Sequence, residues 1–229
     1  GAPPGPARTV ADFARVAGRV EPVAEQVCRE ENPAETSRCD FLLVFDSDPR
    51  MPPNAFQTVS RDGQPLVVFG AALLGQMSSD DEIAFVLGHE ASHQIAGHIG
   101  KERAQSMLGA MIFGRIAAQI PGPNGAAPSE EAIRRAMDLG AWYGSQVYSK
   151  SYEFEADRLG AYIAARAGYD PVAGAQIFTS PVLAGGGALG STHPASADRI
   201  AAVAATSAEI ARQEALGLVP RPENAGAGS

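Results

Sequence analysis

The sequence predicts an α+β fold, mainly helical, with one small antiparallel sheet and a helix built around an HExxH pattern. Three observations carry this. Apolar residues recur at helical spacing over most of the second two thirds of the chain. "FQTVS-RDGQ-PLVVF" sets Asp62-Gly63, a hairpin turn signal, between two β-prone runs. "SSDDEIAFVLGHEASHQIAGHIG" opens on a capping box, Ser79 as N-cap and Glu82 three residues later, ahead of an apolar stripe bearing two histidines four residues apart.

The elements follow in order. Phe13, Val16, Val20, Val23 and Val27 predict a helix from Val10 to Arg29, with a kink or break expected at Pro22. "FLLVFD" (Phe41–Asp46) reads as a buried strand, "DPRMPPNAF" as a turn-rich link, and the hairpin completes the sheet. Asp80 and Asp81 suit the positive N-terminus of the helix that begins after Ser79. A further helix is expected from Lys101 to Gln119. Its stretch "MLGAMIFGRIAAQI" (Met107–Ile120) is too short and too interrupted by Arg115 to span a bilayer, and reads as core-facing rather than as membrane contact. "PGPNGAAPSE" (Pro121–Glu130) is a loop by composition. Helices are expected over residues 130–148 and 148–167, and Pro171 fits a first helical turn. A Gly-rich loop, "PVLAGGGALGSTHPAS", leads into a last helix over 195–216. Residues 1–9 and 217–229 are expected to be tails around a single domain, 10–216.

Composition excludes some functions. The 229 residues are 45% hydrophobic, enough for a substantial core, but only 7% aromatic, with Ala and Gly abundant, which favours helices packed closely through small side chains. The net charge of −8 speaks against a nucleic-acid partner, which needs a basic face. No run of about 18 apolar residues exists, so no transmembrane segment is expected. "GAPPGPARTV" has neither the basic nor the apolar part of a signal peptide. The two cysteines, Cys28 and Cys39, bracket one short polar loop. This suggests an intramolecular disulfide and an oxidising compartment, with a pair of free thiols as the alternative.

Three of the four histidines lie in "FVLGHEASHQIAGH" (Phe85–His98). His89 and His93 stand one turn apart on one face, where two imidazoles can share a zinc ion. Glu90 lies off that stripe but beside it, placed to take a proton from water activated by the metal. Gly88, Ala91 and Ser92 leave room for close approach. The bland alternative is a pair of surface histidines on an amphipathic helix. His98, five residues past His93 and about 140° round the helix, cannot join them. A place near the helix C-terminus suits it better. The pattern HExxHxxGxxH fails too, because Ala96 and Ile99 occupy its glycine and third-histidine positions.

The third ligand must therefore come from elsewhere. In "YSKSYEFEADRLGAYIA" (Tyr148–Ala164), Ser149, Glu153 and Asp157 form one stripe, while Glu155 points about 200° away from Glu153. The stripe offers Glu153 as a ligand, with Asp157 one turn on, able to accept the outer N–H of a ligating histidine. The alternative is a solvated acidic face.

HExxH, then "SxxxExEAD" about sixty residues later, then "THPASADRI", with "PPNAF" (Pro52–Phe56) and "AGYDP" (Ala167–Pro171), resembles the HtpX and CAAX prenyl endopeptidase family of zinc metallopeptidases, over roughly residues 40–215. The resemblance implies a zincin-like (gluzincin) fold and one zinc per chain, bound by His89, His93 and Glu153. It makes Glu90 the general base and places Asp157 behind the ligands, against His89. His193 of "STHP" matches the family's His-Pro segment, and Arg199 the arginine six residues later. On this reading His193 stabilises the oxyanion or transiently occupies the metal's open position. The chain lacks the hydrophobic spans of integral-membrane members and resembles the soluble, envelope-located bacterial type. A periplasmic or otherwise extracytoplasmic location follows as an expectation, as does cleavage of unfolded or misassembled polypeptides. A zinc-gated chaperone with little proteolysis is the competing function. An edge strand beside the active-site helix could align an extended substrate, with Asn54, Ala55 and Phe56, or Val67 and Val68 of "PLVVF", as the contact residues.

Overall fold

The structure, a computed structural model, describes residues 8–147, 149–180, 193 and 197–222. They form helices α1 (Val10–Glu31), α2 (Ala71–Leu74), α3 (Asp80–Ile95), α4 (His98–Ala117), α5 (Glu130–Val147), α6 (Ser149–Arg166), α7 (Pro171–Gly174) and α8 (Ala197–Ala215), with strands β1 (Leu42–Asp46), β2 (Ala55–Val59) and β3 (Pro65–Gly70). Residues Gly97–Glu153 make one compact unit, and the remaining described residues another. The segments expected to be tails fall mostly outside the described residues, as does the Gly-rich loop except for His193.

In the larger unit the hairpin forms as its turn chemistry requires. β2 and β3 pair antiparallel, with Gly63 at φ +88°, a conformation only glycine adopts freely. The sheet is mixed rather than antiparallel throughout, because β1 joins β3 in parallel, and the strand order is β1-β3-β2. This corrects one expectation. β3 has a partner on each side and Val67 is fully buried, so Val67 and Val68 present no free edge. Among the described residues the edge on that side belongs to β2, which carries Ala55 and Phe56, with Asn54 just before it.

α1 runs through Pro22 without the break that was one expectation there. Pro22 and Gly18, four residues before it, are both exposed, so water can take the Gly18 carbonyl that the missing N–H leaves free. The buried face of α1, including Val16, Val20 and Val27, packs into one core with Phe69, Leu73, Ile83 and Leu87. A Cys28–Cys39 disulfide joins the end of α1 to the turn before β1. Ser79 Oγ accepts from the Glu82 N–H at 3.1 Å, capping α3, while the Glu82 carboxylate accepts from Ser78 N–H.

α3 and α6 cross at two glycines. A β-carbon on Gly160 would sit 2.8 Å from His89 N, and one on Gly88 would sit 2.9 Å from Gly160 O. The crossing brings the backbone of the histidine helix against the helix that bears Asp157.

The smaller unit is a helical hairpin. α4 starts at His98 because Gly97, at φ +68°, ends the preceding helix. His98 is therefore not at a helix C-terminus as expected. It is buried and stacks on Tyr152, ring centroids 4.4 Å apart. The stretch Met107–Ile120 also departs from expectation. α4 faces α5 through small residues, Gly109 against Gly140 and Gly144 against the Gln105–Ser106 backbone, so its bulky residues turn outward. Met107 is 67% exposed and Met111 65%.

Gly160→Ala should cost about 1–3 kcal/mol of stability by overpacking the α3–α6 crossing. It should lower the urea midpoint without changing the slope; an unchanged midpoint would show that the crossing has slack.

Candidate metal centre

The functional side chains stand on or beside this crossing. His89 and His93 extend from one face of α3, their Nε2 atoms 3.1 Å apart. His193 brings its Nδ1 to 3.2 Å from His89 Nε2. Each of His89, His93, Glu153 and His193 offers one ligand atom, and the four atoms lie within 4.8 Å of one another. Two imidazole nitrogens bound to one tetrahedral zinc at about 2.0–2.1 Å stand roughly 3.3 Å apart. The nitrogen spacings seen here fit such an ion, and the donor set of three imidazoles and a carboxylate suits it. Bringing four such groups together in a buried place without a shared cation would be costly.

Asp157 lies one turn beyond Glu153 on α6 and is fully buried. Its Oδ1 is 3.0 Å from His89 Nδ1, so the ring offers Nε2 to the metal side. Arg199, at the start of α8, donates to both carboxylate oxygens, Nε to Oδ2 and Nη2 to Oδ1, each at 2.6 Å. Burial alone would raise the Asp157 carboxyl, but hydrogen bonds from Arg199 and His89, helped by their charge, hold it below its ordinary value. The acid thus stays ionised in the core and fixes the histidine's tautomer. Arg199 also lies over the Phe178 ring, its guanidinium carbon 4.2 Å from the centroid.

Glu90 is buried on the neighbouring face of α3, its Oε1 3.3 Å from His193 Nε2. A recess beside it is lined by Phe85, Val86, Ile177 and Phe178 along with His89 and His193. β2 is tied to α3 just past His93, where Gln57 Nε2 donates to Gln94 Oε1 at 2.6 Å. The sequence reading missed the aromatic wall of the recess, Phe85 and Phe178, and the glycine pair at the crossing. Phe85 sits four residues before His89, a spacing that signals a shared face; Phe178 carries no such signal.

A family model, "Peptidase family M48", matches residues 13–207. The chain belongs to peptidase family M48. This is the metallopeptidase group to which the HExxH, SxxxExEAD and THPASADRI segments pointed. The chain is also 31% identical over 137 residues to the mitochondrial metalloendopeptidase OMA1 of Arabidopsis thaliana, covering 58% of this chain and 26% of that protein. It thus spans about a quarter of the length of that relative. Within this M48 chain, the four candidate ligands include the two histidines of its HExxH helix.

Asp157→Asn keeps the shape of the group but removes the charge that holds His89. Metal affinity should fall about 10- to 100-fold in chelator competition. Affinity equal to that of the parent would show that the acid only supports the fold.

Proposed function

We propose that this chain is a zinc-dependent endopeptidase that cuts unfolded or misassembled polypeptides in an extracytoplasmic compartment, in bacterial cell-envelope quality control. The observation that carries the catalytic part is the convergence of His89, His93, Glu153 and His193 with Glu90 beside them. The disulfide between Cys28 and Cys39 supports the oxidising location.

His89, His93, Glu153 and His193 would hold a zinc ion, which would supply a lowered water pKa and Lewis-acid polarisation of the carbonyl. The side chains do the rest. Glu90, on the same helix as two ligands, accepts the proton of the attacking water and passes it to the leaving amine nitrogen. His193, whose Nε2 stands 3.3 Å from Glu90 Oε1, would complete the donor set or, when not ligating, could donate to the oxyanion. Asp157 and Arg199 keep His89 in one orientation throughout.

The open edge of β2 can pair with an extended backbone, which reads no side-chain sequence and suits unfolded chains. Asn54, Ala55 and Phe56 are the contacts on this reading, and the Gln57–Gln94 hydrogen bond holds the strand against the helix of the site. Phe85, Ile177 and Phe178 give the site an apolar wall next to the cut bond.

Glu90→Gln tests the reading against that of a metal-gated chaperone. Zinc content should stay at one per chain while cleavage of an unfolded protein falls about 10²- to 10⁴-fold. Retained cleavage would remove Glu90 from the role of base, and full suppression of aggregation by a parent protein that cleaves nothing would favour the chaperone.

A further inference from the structure

The α4–α5 hairpin is built inside out for a structure in water. Its two helices meet through glycine: a β-carbon on Gly114 would strike the Met137 side chain, and Gly109 and Gly140 stand against each other's backbones. The large apolar side chains face away from this seam. On α4, Leu108 is 56% exposed, Ile112 46% and Ile116 54%; on α5, Leu139 is 55% exposed, Trp142 61% and Tyr143 56%. Single exposed apolar residues are ordinary, but a contiguous set on both helices of one hairpin marks a binding face. Small residues at the helix–helix seam with large ones outside are how helices pair where the surroundings are lipid.

Charge says which surroundings. The chain as a whole is −8, yet residues 97–153 hold six lysines and arginines against five acids, a net +1. From residue 104 to 129 the sole charge is Arg115. A dry contact with the same face of a second copy would bury that guanidinium with no carboxylate in the stretch to pair it. At a lipid surface its long stem lies among acyl chains while its head reaches a phosphate. Trp142 and Tyr143 are adjacent, and such rings favour the boundary between headgroups and hydrocarbon. No helix among the described residues is long and apolar enough to cross a membrane, so the hairpin would lie in the surface rather than span it.

We propose that the outer face of the α4–α5 hairpin, from Met107 to Ile116 and from Leu139 to Tyr143, inserts into the surface of an anionic lipid bilayer. The interaction is independent of the peptidase chemistry, and its test reads binding rather than turnover.

Trp142 is the only tryptophan of the chain, so its emission reports on this face alone. The full chain is mixed with vesicles of phosphatidylethanolamine and phosphatidylglycerol, with and without brominated acyl chains. The emission should shift to the blue, be quenched by the brominated chains, and the protein should float with the vesicles, less so as salt is raised. Met111→Gln with Ile112→Gln changes only exposed positions. It should reduce the vesicle-bound fraction at least tenfold, while far-UV circular dichroism and cleavage of a water-soluble unfolded protein stay as in the parent. An emission that ignores vesicles overturns the proposal. So does a shift that follows protein concentration without lipid, which would mean a second copy covers the face, or one produced only by an unfolded polypeptide, which would mean substrate does. Flotation that survives the double substitution overturns it as well. Loss of cleavage with flotation intact would bear on the peptidase reading and leave this one standing.

Discussion

The approach of two backbones at Gly88 and Gly160 governs where the candidate metal ligands stand. At that crossing the chain of α6 passes within contact of His89 N, closer than any side chain would allow. Asp157 is then three residues, about one turn, from the contact, and meets the outer nitrogen of His89. Glu153 lies a further turn along the same helix. The His89 orientation, the carboxylate that fixes it and the third helical donor thus depend on one pair of residues with no side chains.

A buried acid is expensive unless it is paired and hydrogen-bonded. Asp157 is saturated: Arg199 takes both oxygens and His89 shares one. Arg199 is itself buried and packs on Phe178, which in turn meets Phe85 edge-on at 5.7 Å between centroids. The polar chain behind the metal group and the apolar wall of the recess therefore share a member. A change that loosens Phe178 reaches His89 through three contacts, by way of Arg199 and Asp157, and the chemistry of the site cannot be separated from the packing beside it.

Much of this was legible in the sequence where local rules act. The i, i+4 spacing placed His89 and His93 on one face, the Asp62-Gly63 turn placed the hairpin, and the stripe through Glu153 and Asp157 separated those acids from Glu155. What escaped depends on partners distant in sequence. β3 looked like an edge because nothing local tells that β1 will pair with it in parallel. Pro22 looked like a kink or break because its compensation, a solvent-exposed turn, is visible only once the buried face is known. The stretch Met107–Ile120 looked like core by its apolarity, and the structure turns it outward because glycines take the inner positions. Hydrophobicity marked that segment as special without saying which solvent it meets.

The account rests on a single ion held by groups from α3, α6 and the segment of His193. X-ray absorption at the zinc edge of the purified protein, combined with metal content, tests this most directly. One zinc per chain is expected, with a first shell of nitrogen and oxygen only at about 2.0–2.1 Å and outer-shell scattering from at least two imidazoles. Substoichiometric zinc, or sulfur in the first shell, would contradict it.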